Sequence, residues 1–239
     1  MKNNLTEKDI ENLNKWAEKY NIEELKIKDK EKIFNLEELH ITSHNLTELP
    51  KEIGILTNLK ILDIKCFYLN ELPKEIFNLI NLEELHISSV SLTELPKEIE
   101  NLTNLKILDI DYYNLNELPK EIFNLINLEE LSIGSENLTE LPKEIGNLIN
   151  LKRLDIRTNN FTKLPKEIGN LINLEKLYID CNNLEISPDG IEKLINLENL
   201  YIDINIINEN FNFKSLPIEE MGKLNNLKEF DIRIRKEEK

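Results

Sequence analysis

The chain predicts an α/β solenoid: a curved, horseshoe-like array of short stacked units with a parallel sheet along its concave side, an irregular or 3₁₀ convex side and a helical cap at the N-terminus. Three observations carry that prediction. A 23-residue pattern, cleanest from Leu128 to Asn150 as LEELSIGSENLTELPKEIGNLIN, recurs through nearly everything after residue 35, and a fixed period of roughly 20–29 residues is the mark of a repeat architecture. Within one unit Leu128, Leu131 and Ile133 occupy positions 1, 4 and 6, and Leu138, Leu141, Ile145 and Leu148 follow at 11, 14, 18 and 21; the period of two around Leu131 suits a short strand whose alternate side chains point to opposite faces. Pro142 at position 15 removes a backbone donor and fixes φ, which argues against a second sheet strand on the return leg and for polyproline, turn or short 3₁₀ structure. Gly146 and Asn150 then make the bends before the next strand.

One such unit cannot fold alone. Its apolar side chains gain roughly 1.5–3 kcal/mol each on burial, whereas ordering the backbone costs roughly 1–2 kcal/mol for every residue. Stacked neighbours share one core and pair their strands about 4.8 Å apart.

Residues 5–20 read as a helix. Thr6 can cap it with Asp9 three residues on, and Ile10, Leu13, Ala17 and Tyr20 fall on one face that Trp16 extends; this is expected to cover the open apolar end of the array. Ile22, Leu25 and Ile27 mimic positions 1, 4 and 6 before a shortened return through Ile33 and Phe34, so residues 1–35 form a cap and a truncated first repeat. Residues 36–196 hold seven full units, beginning at Leu36, Leu59, Leu82, Leu105, Leu128, Leu151 and Leu174, and the early ones alternate between LEELHI and LKILDI types. Such alternation indicates duplication of a pair, so repetition by itself says little about function. Residues 197–239 form an enlarged eighth unit, in which INIINENFNFKSLP inserts residues and Phe211 and Phe213 are expected to fold back as a local core. From Leu227 a last strand with Phe230, Ile232 and Ile234 closes the array; Arg233, Arg235 and the charged tail guard that edge against strand addition, which favours a monomer.

The series LxxLxIxxNxL followed by LPxxI resembles the LPxxI class of leucine-rich repeat proteins, found among bacterial repeat proteins and the intracellular repeat scaffolds of plants and animals, over about residues 22–234. The resemblance implies the horseshoe fold and a binding task. It also implies that the asparagine at position 9 bonds the backbone inside the turn, and only Asn159, Asn182 and Asn205 keep it. His44, Phe67, Val90, Tyr113 and Glu136 stand there in earlier units. The expectation is that Phe67, Val90 and Tyr113 plug the turn with apolar bulk, leaving their neighbours Tyr68 and Tyr112 exposed.

Positions 3, 5, 7 and 8 are expected to face the concave side or its margin. Position 5 reads His40, Asp63, His86, Asp109, Ser132, Asp155, Tyr178, Tyr201 and Asp231. Two histidines thus alternate with two carboxylates, which would favour protonated imidazole and a pH-sensitive patch. Alternate repeats stand roughly 9–10 Å apart, too far for both histidines to grip one metal ion, and a compensated ladder on a solvated face is the plainer reading. The first half of the lining is acidic, with Ile61, Ile107 and Tyr112 exposed; the later half brings Arg153, Arg157 and Lys176 beside Asp155, Tyr178, Asp180, Tyr201 and Asp203. Arginine and tyrosine among mixed charges are the anchor chemistry of protein interfaces. The candidate contact residues are therefore this later group together with Tyr112, Asp109, His86, Asp63 and His40.

Over 239 residues the formal net charge is -15. That charge repels nucleic acid and anionic membranes, and no apolar run approaches the roughly 20 residues that span a bilayer. The opening MKNNLTEKDIENL lacks the apolar core of a signal peptide, so a cytoplasmic protein is expected if the chain begins at its natural start, and a secreted one if a leader was removed. Cys66 and Cys181 both sit at position 8, five repeats and so roughly 24 Å apart by strand spacing; they cannot pair within the chain, and free thiols agree with a reducing compartment. With six glycines the chain shows no phosphate loop, nucleophile elbow or zinc spacing, and no cofactor is expected. These readings converge on a non-enzymatic module that binds a protein or peptide on its concave face. The alternatives are a surface adhesion or virulence component, and the substrate-capture array of a larger effector.

Overall fold

A computed structural model describes residues 6–182, 184–186, 188–206 and 217–236. The insertion expected to carry Phe211 and Phe213 lies outside the described residues. The strands are β1 (Glu38–Ser43), β2 (Ile61–Cys66), β3 (Glu84–Ser89), β4 (Ile107–Tyr112), β5 (Glu130–Ser135), β6 (Arg153–Thr158), β7 (Lys163–Leu164), β8 (Lys176–Cys181), β9 (Glu185–Ile186), β10 (Asn199–Ile206) and β11 (Glu229–Lys236). Nine of them form one open parallel sheet in the order β1-β2-β3-β4-β5-β6-β8-β10-β11, curved as a leucine-rich repeat array is. Equal repeat lengths give equal register: Leu39 pairs with Leu62, Leu62 with Leu85, Leu85 with Leu108. Each repeat position therefore becomes a straight row across the sheet.

The rows at positions 1, 4, 6, 11, 14, 18 and 21 form the core, represented by Leu82, Leu85, Ile87, Leu92, Leu95, Ile99 and Leu102, all buried. After the prolines from Pro50 to Pro165 the return leg makes a short 3₁₀ turn, as in Lys51–Ile55, Lys74–Asn78 and Lys97–Asn101. The return is not wholly free of strand: β7 and β9 pair in parallel over two residues, beside the last regular repeats.

Position 19 sets the spacing of these turns. It reads Gly54, Phe77, Glu100, Phe123, Gly146 and Gly169. A Cβ on Gly54 would lie 2.1 Å from the backbone oxygen of Glu75 in the next turn, so only glycine permits that approach. Phe77 and Phe123 are instead fully buried, and the turns that follow them stand further off than those following Gly54, Glu100 and Gly146.

Position 23 supplies an asparagine ladder. The side-chain amides of Asn58, Asn81, Asn104, Asn127, Asn150, Asn173, Asn196 and Asn226 donate to the carbonyls of Phe34, Thr57, Ile80, Thr103, Ile126, Ile149, Ile172 and Ile195 at 2.7–3.1 Å. Each bond ties a repeat to the one before it, just where the chain turns into the strand and backbone groups need partners.

The N-terminal helix α1 (Glu7–Tyr20) carries the expected capping box: the Thr6 hydroxyl accepts from the Asp9 amide, and Asp9 accepts from the Thr6 amide. Ile10, Leu13 and Ala17 are buried against the first repeat, with Trp16 and Tyr20 packed beside them. The truncated repeat forms no strand. Ile22, Leu25 and Ile33 are buried as expected, yet the backbone makes a 3₁₀ turn at Glu23–Leu25 and the helix α2 (Lys30–Phe34). Asn14 of α1 takes the carbonyls of Leu25 and Ile27, at 2.5 and 3.0 Å, the groups a neighbouring strand would use. Near the other end α3 (Pro188–Ile191) and α4 (Ile218–Met221) replace the 3₁₀ turns. Among the described residues no helix is long and apolar enough to cross a membrane.

Candidate interaction surface

Along each strand side chains alternate, and in β2, β4, β6 and β8 positions 3, 5 and 7 face outward while 4, 6 and 8 face the core. Position 8 is therefore not part of the lining. Tyr112, expected there as an exposed contact residue, is 0% exposed. Burial pushes its phenol far above the ordinary range, and its hydroxyl has no hydrogen-bond partner among the described residues. In other repeats position 8 performs the bonding that the family pattern assigns to position 9. The Ser89 hydroxyl donates to the carbonyl of Leu69 at 3.1 Å and accepts from the Leu92 amide; Ser135 and Thr158 donate to Leu115 and Leu138 at 2.7 and 2.8 Å. Cys66 and Cys181 occupy the same buried row as free thiols, and burial raises them to about 11 and about 12 respectively.

Position 9 then faces solvent. Phe67 and Tyr113, expected as core plugs, are 55% and 52% exposed, and Val90 lies exposed between them; Tyr68 is exposed as expected. Asn159 pairs with the Glu136 side chain instead of closing its turn, Asn205 continues strand β10, and of the three asparagines only Asn182 is buried.

The outward rows divide into two regions. In the first, His40 stands 3.6 Å from Asp63 and 3.9 Å from Glu38, and His86 stands 3.7 Å from Asp109 and 3.6 Å from Glu84. These are ion-pair separations beyond ordinary hydrogen-bond length. Asp63 also receives Lys65 at 2.7 Å. Ile61 and Ile107 are half-buried between these acids.

The second region spans β6, β8, β10 and β11. Register places Asp155, Tyr178, Tyr201 and Asp231 in one row and Arg157, Asp180, Asp203 and Arg233 in the next. Tyr178 and Tyr201 stack with ring centroids 4.9 Å apart and planes 3° from parallel, and the Arg153 guanidinium carbon lies 4.8 Å from the Tyr178 ring centre. Arg153 also reaches Asp155 at 3.2 Å, and Arg157 lies 3.5 Å from the same carboxylate while donating to Ser132 at 3.0 Å. Partial burial, followed by the adjacent Asp203, raises the Asp180 carboxyl. Asp203 is held by Arg235 at 2.5 Å. The Tyr201 hydroxyl donates to Glu229, the main cause of its raised pKa. A shallow groove of about 280 Å³ runs over Asp155, Arg157, Tyr178, Asp180, Tyr201 and Asp203 and on to Asp231 and Arg233.

The structure thus assembles the later contact group expected from sequence and leaves Tyr112 out of it. Glu229, Arg233 and Arg235 join the patch through the register of β11, so the two arginines expected to guard the edge also line the contact surface. Among the described residues no cluster of histidine, cysteine and carboxylate side chains is arranged to hold a metal ion. What the patch offers is flat aromatic surface, guanidinium planes and carboxylates on a rigid sheet.

An open solenoid with a preformed, solvent-facing parallel sheet is a repeat protein built to present a surface. The chain belongs to the leucine-rich repeat family: the family described as leucine-rich repeat region matches residues 120–239, half of the chain. It is similar to a leucine-rich repeat protein of Leptospira interrogans, at 34% identity and a TM-score of 0.69, covering 84% of this chain and 50% of that one. The plant peptide hormone receptor RGFR1 in complex with RGF2 is 31% identical with a TM-score of 0.62, over 85% of this chain and 33% of the receptor. The leucine-rich repeat domain of the type III effector XopL is 27% identical with a TM-score of 0.66, over 85% of this chain and 70% of that one. The chain therefore spans half the length of the Leptospira protein and a third of the receptor. No curated protein matches it in sequence. Leucine-rich repeat folds serve as protein-interaction modules.

Proposed function

We propose that this chain is a non-enzymatic binding module that holds a protein or peptide on its concave sheet, centred on Tyr178 and Tyr201. One observation carries the reading: two tyrosines stacked in register, with Arg153 on one ring, line an open groove. Tyrosine and arginine anchors contribute most to binding when they are already held in place, because little side-chain freedom is then lost. RGFR1 is a plant peptide hormone receptor whose structure is in complex with RGF2, which supports a peptide or protein as the occupant. The buried free thiols suit a reducing compartment, and the charged edge at Arg233 and Arg235 suits a monomer.

The test is affinity capture from lysate with the intact protein beside an Arg153→Glu, Tyr178→Ala, Tyr201→Ala variant of unchanged circular dichroism. A partner held by the first and lost by the second supports the reading. Equal retention by both moves the interface off this patch.

A further inference from the structure

Phe67, Val90 and Tyr113, expected inside the turns, lie on the surface, in one row at the carboxyl ends of β2, β3 and β4. Phe67 and Tyr113 are more than half exposed, as is Tyr68 beside them. Backbone bonds hold the row in line: the Val90 amide donates to Phe67 at 3.1 Å, and the Glu136 amide to Tyr113 at 2.9 Å. Its rings touch sideways, with centroids 6.1 Å apart for His44 and Phe67 and 6.4 Å for Phe67 and Tyr68. Folding does not require large apolar side chains here, since Glu136 and Asn159 occupy the equivalent place in later repeats. A contiguous exposed patch of this kind marks an interaction site.

The charges on either side indicate what it receives. Four residues beyond each member of the row stands an exposed glutamate: Glu48, Glu71, Glu94 and Glu117. On the concave side Asp111 lies toward the same rim, and Lys65, in the same row two strands earlier, is committed to Asp63 at 2.7 Å. The position-16 lysines begin the 3₁₀ turns beyond the prolines. An aromatic row beside a row of glutamates offers ring faces to cations and counter-charges to anchor them.

We propose that this rim is a second docking surface, distinct from the groove at Tyr178 and Tyr201, and that it takes a basic protein segment in which lysine or arginine alternates with apolar side chains. Cations would lie over Phe67, Tyr68 and Tyr113, with the glutamates beside them, and the apolar residues would cover Val90.

Isothermal titration of the full chain with a short synthetic peptide of alternating arginine and leucine tests this, with a glutamate–leucine peptide as control. Binding of the first and not the second is expected. Affinity should fall about tenfold in a Phe67→Ser, Tyr68→Ser, Tyr113→Ser variant, fall similarly in a Glu71→Gln, Glu94→Gln, Glu117→Gln variant, and hold in Tyr178→Ala, Tyr201→Ala. The substituted side chains are exposed, so folding should survive; if the serine variant melts early, the glutamine variant decides. Wild-type protein that ignores the basic peptide overturns the proposal. So does undiminished affinity in the serine variant, which would reduce the attraction to net charge, or loss of binding in the tyrosine variant, which would return the site to the concave groove.

Discussion

Phe77 is the side chain whose removal best tests how the array is spaced. It is fully buried at position 19, where Gly54 one repeat earlier lets the next turn approach until a Cβ would stand 2.1 Å from the Glu75 oxygen. Phe77→Ala deletes the ring that holds the following turn away. A buried phenylalanine cut to alanine costs about 3–5 kcal/mol, the upper part of that range applying when the surroundings cannot close the gap. Here they can close only partly, because the β2 and β3 strands stay at fixed spacing on the opposite side and the new Cβ still blocks the contact that glycine allows. A loss of about 3–4 kcal/mol follows from those bounds. In a one-dimensional array that loss falls on a single junction between neighbours, so the urea transition followed by far-ultraviolet circular dichroism should broaden or split as well as move. A sharp transition displaced by less than about 1 kcal/mol would refute the assignment of Phe77 as the spacer of the convex side.

Gly54→Ala should destabilise by about 1–3 kcal/mol, since overpacking against backbone cannot be relieved by a rotamer change; thermal unfolding reads it, and an unchanged midpoint would mean the turns are not in contact there. Tyr112→Phe removes a buried hydroxyl that has no partner among the described residues, so it should stabilise by up to about 1 kcal/mol, whereas a clear loss in a urea melt would show that the hydroxyl is bonded. Cys66 and Cys181 should resist alkylation at pH 8 in the folded protein and react once it is unfolded; rapid labelling of the native chain would contradict their burial. Folding raises both thiols above 9.0, to about 11 and about 12. Their contribution to stability is therefore intact below about pH 9 and declines as pH climbs toward those folded values, because the unfolded chain releases the protons first; a pH series of urea midpoints measures it.

Much of the fold was legible because one period governs both core and backbone. The spacing of Leu128, Leu131 and Ile133 predicts strand β5, and Pro142 predicts a return leg without sheet strand, from which the two-residue pair of β7 and β9 departs. Asn14 was not legible: it lies on the inner face of α1, and only three dimensions show that it takes the carbonyls of Leu25 and Ile27 and so prevents an extra strand. At the rim, two signals competed. Period two, carried from Leu108 and Ile110 one step further, sends Tyr112 inward and Tyr113 outward, as the structure has it; the family expectation of an inward position 9 sends them the other way. Serine, threonine and cysteine at position 8 were the overlooked clue, being small enough to fit inside and polar enough to bond a turn carbonyl. The asparagine at position 23 was equally regular in sequence. Sequence alone marks it as a bend former, because a side-chain amide bonding to the preceding repeat cannot be distinguished from a turn residue without the stacked neighbour.

The core and the concave groove are connected through curvature. Strand spacing along the sheet is fixed by hydrogen bonds at about 4.8 Å, so the bend of the array depends on how far apart the convex turns are held. Through the first repeats Gly54, Phe77, Glu100 and Phe123 alternate near and far approaches. From Gly146 the alternation stops: a Cβ on Gly146 would meet the Glu167 oxygen at 2.8 Å and one on Gly169 the Gly190 oxygen at 2.6 Å, two close approaches in succession. With no phenylalanine on the convex side there, the turns behind β5, β6 and β8 are held close together. The Tyr178 and Tyr201 rings, 3° from parallel, belong to the next junction, between β8 and β10, whereas Arg153 on β6, lying over the Tyr178 ring of β8, spans the junction that Gly169 closes. A guanidinium keeps its place over a ring only while the two strands that carry them hold their register, and the close turns at Gly169 and Gly190 support that junction on the convex side. The glycines on the convex side thereby help to shape the concave surface, and a substitution at Gly169 that never touches the groove should loosen the contact of Arg153 with the Tyr178 ring.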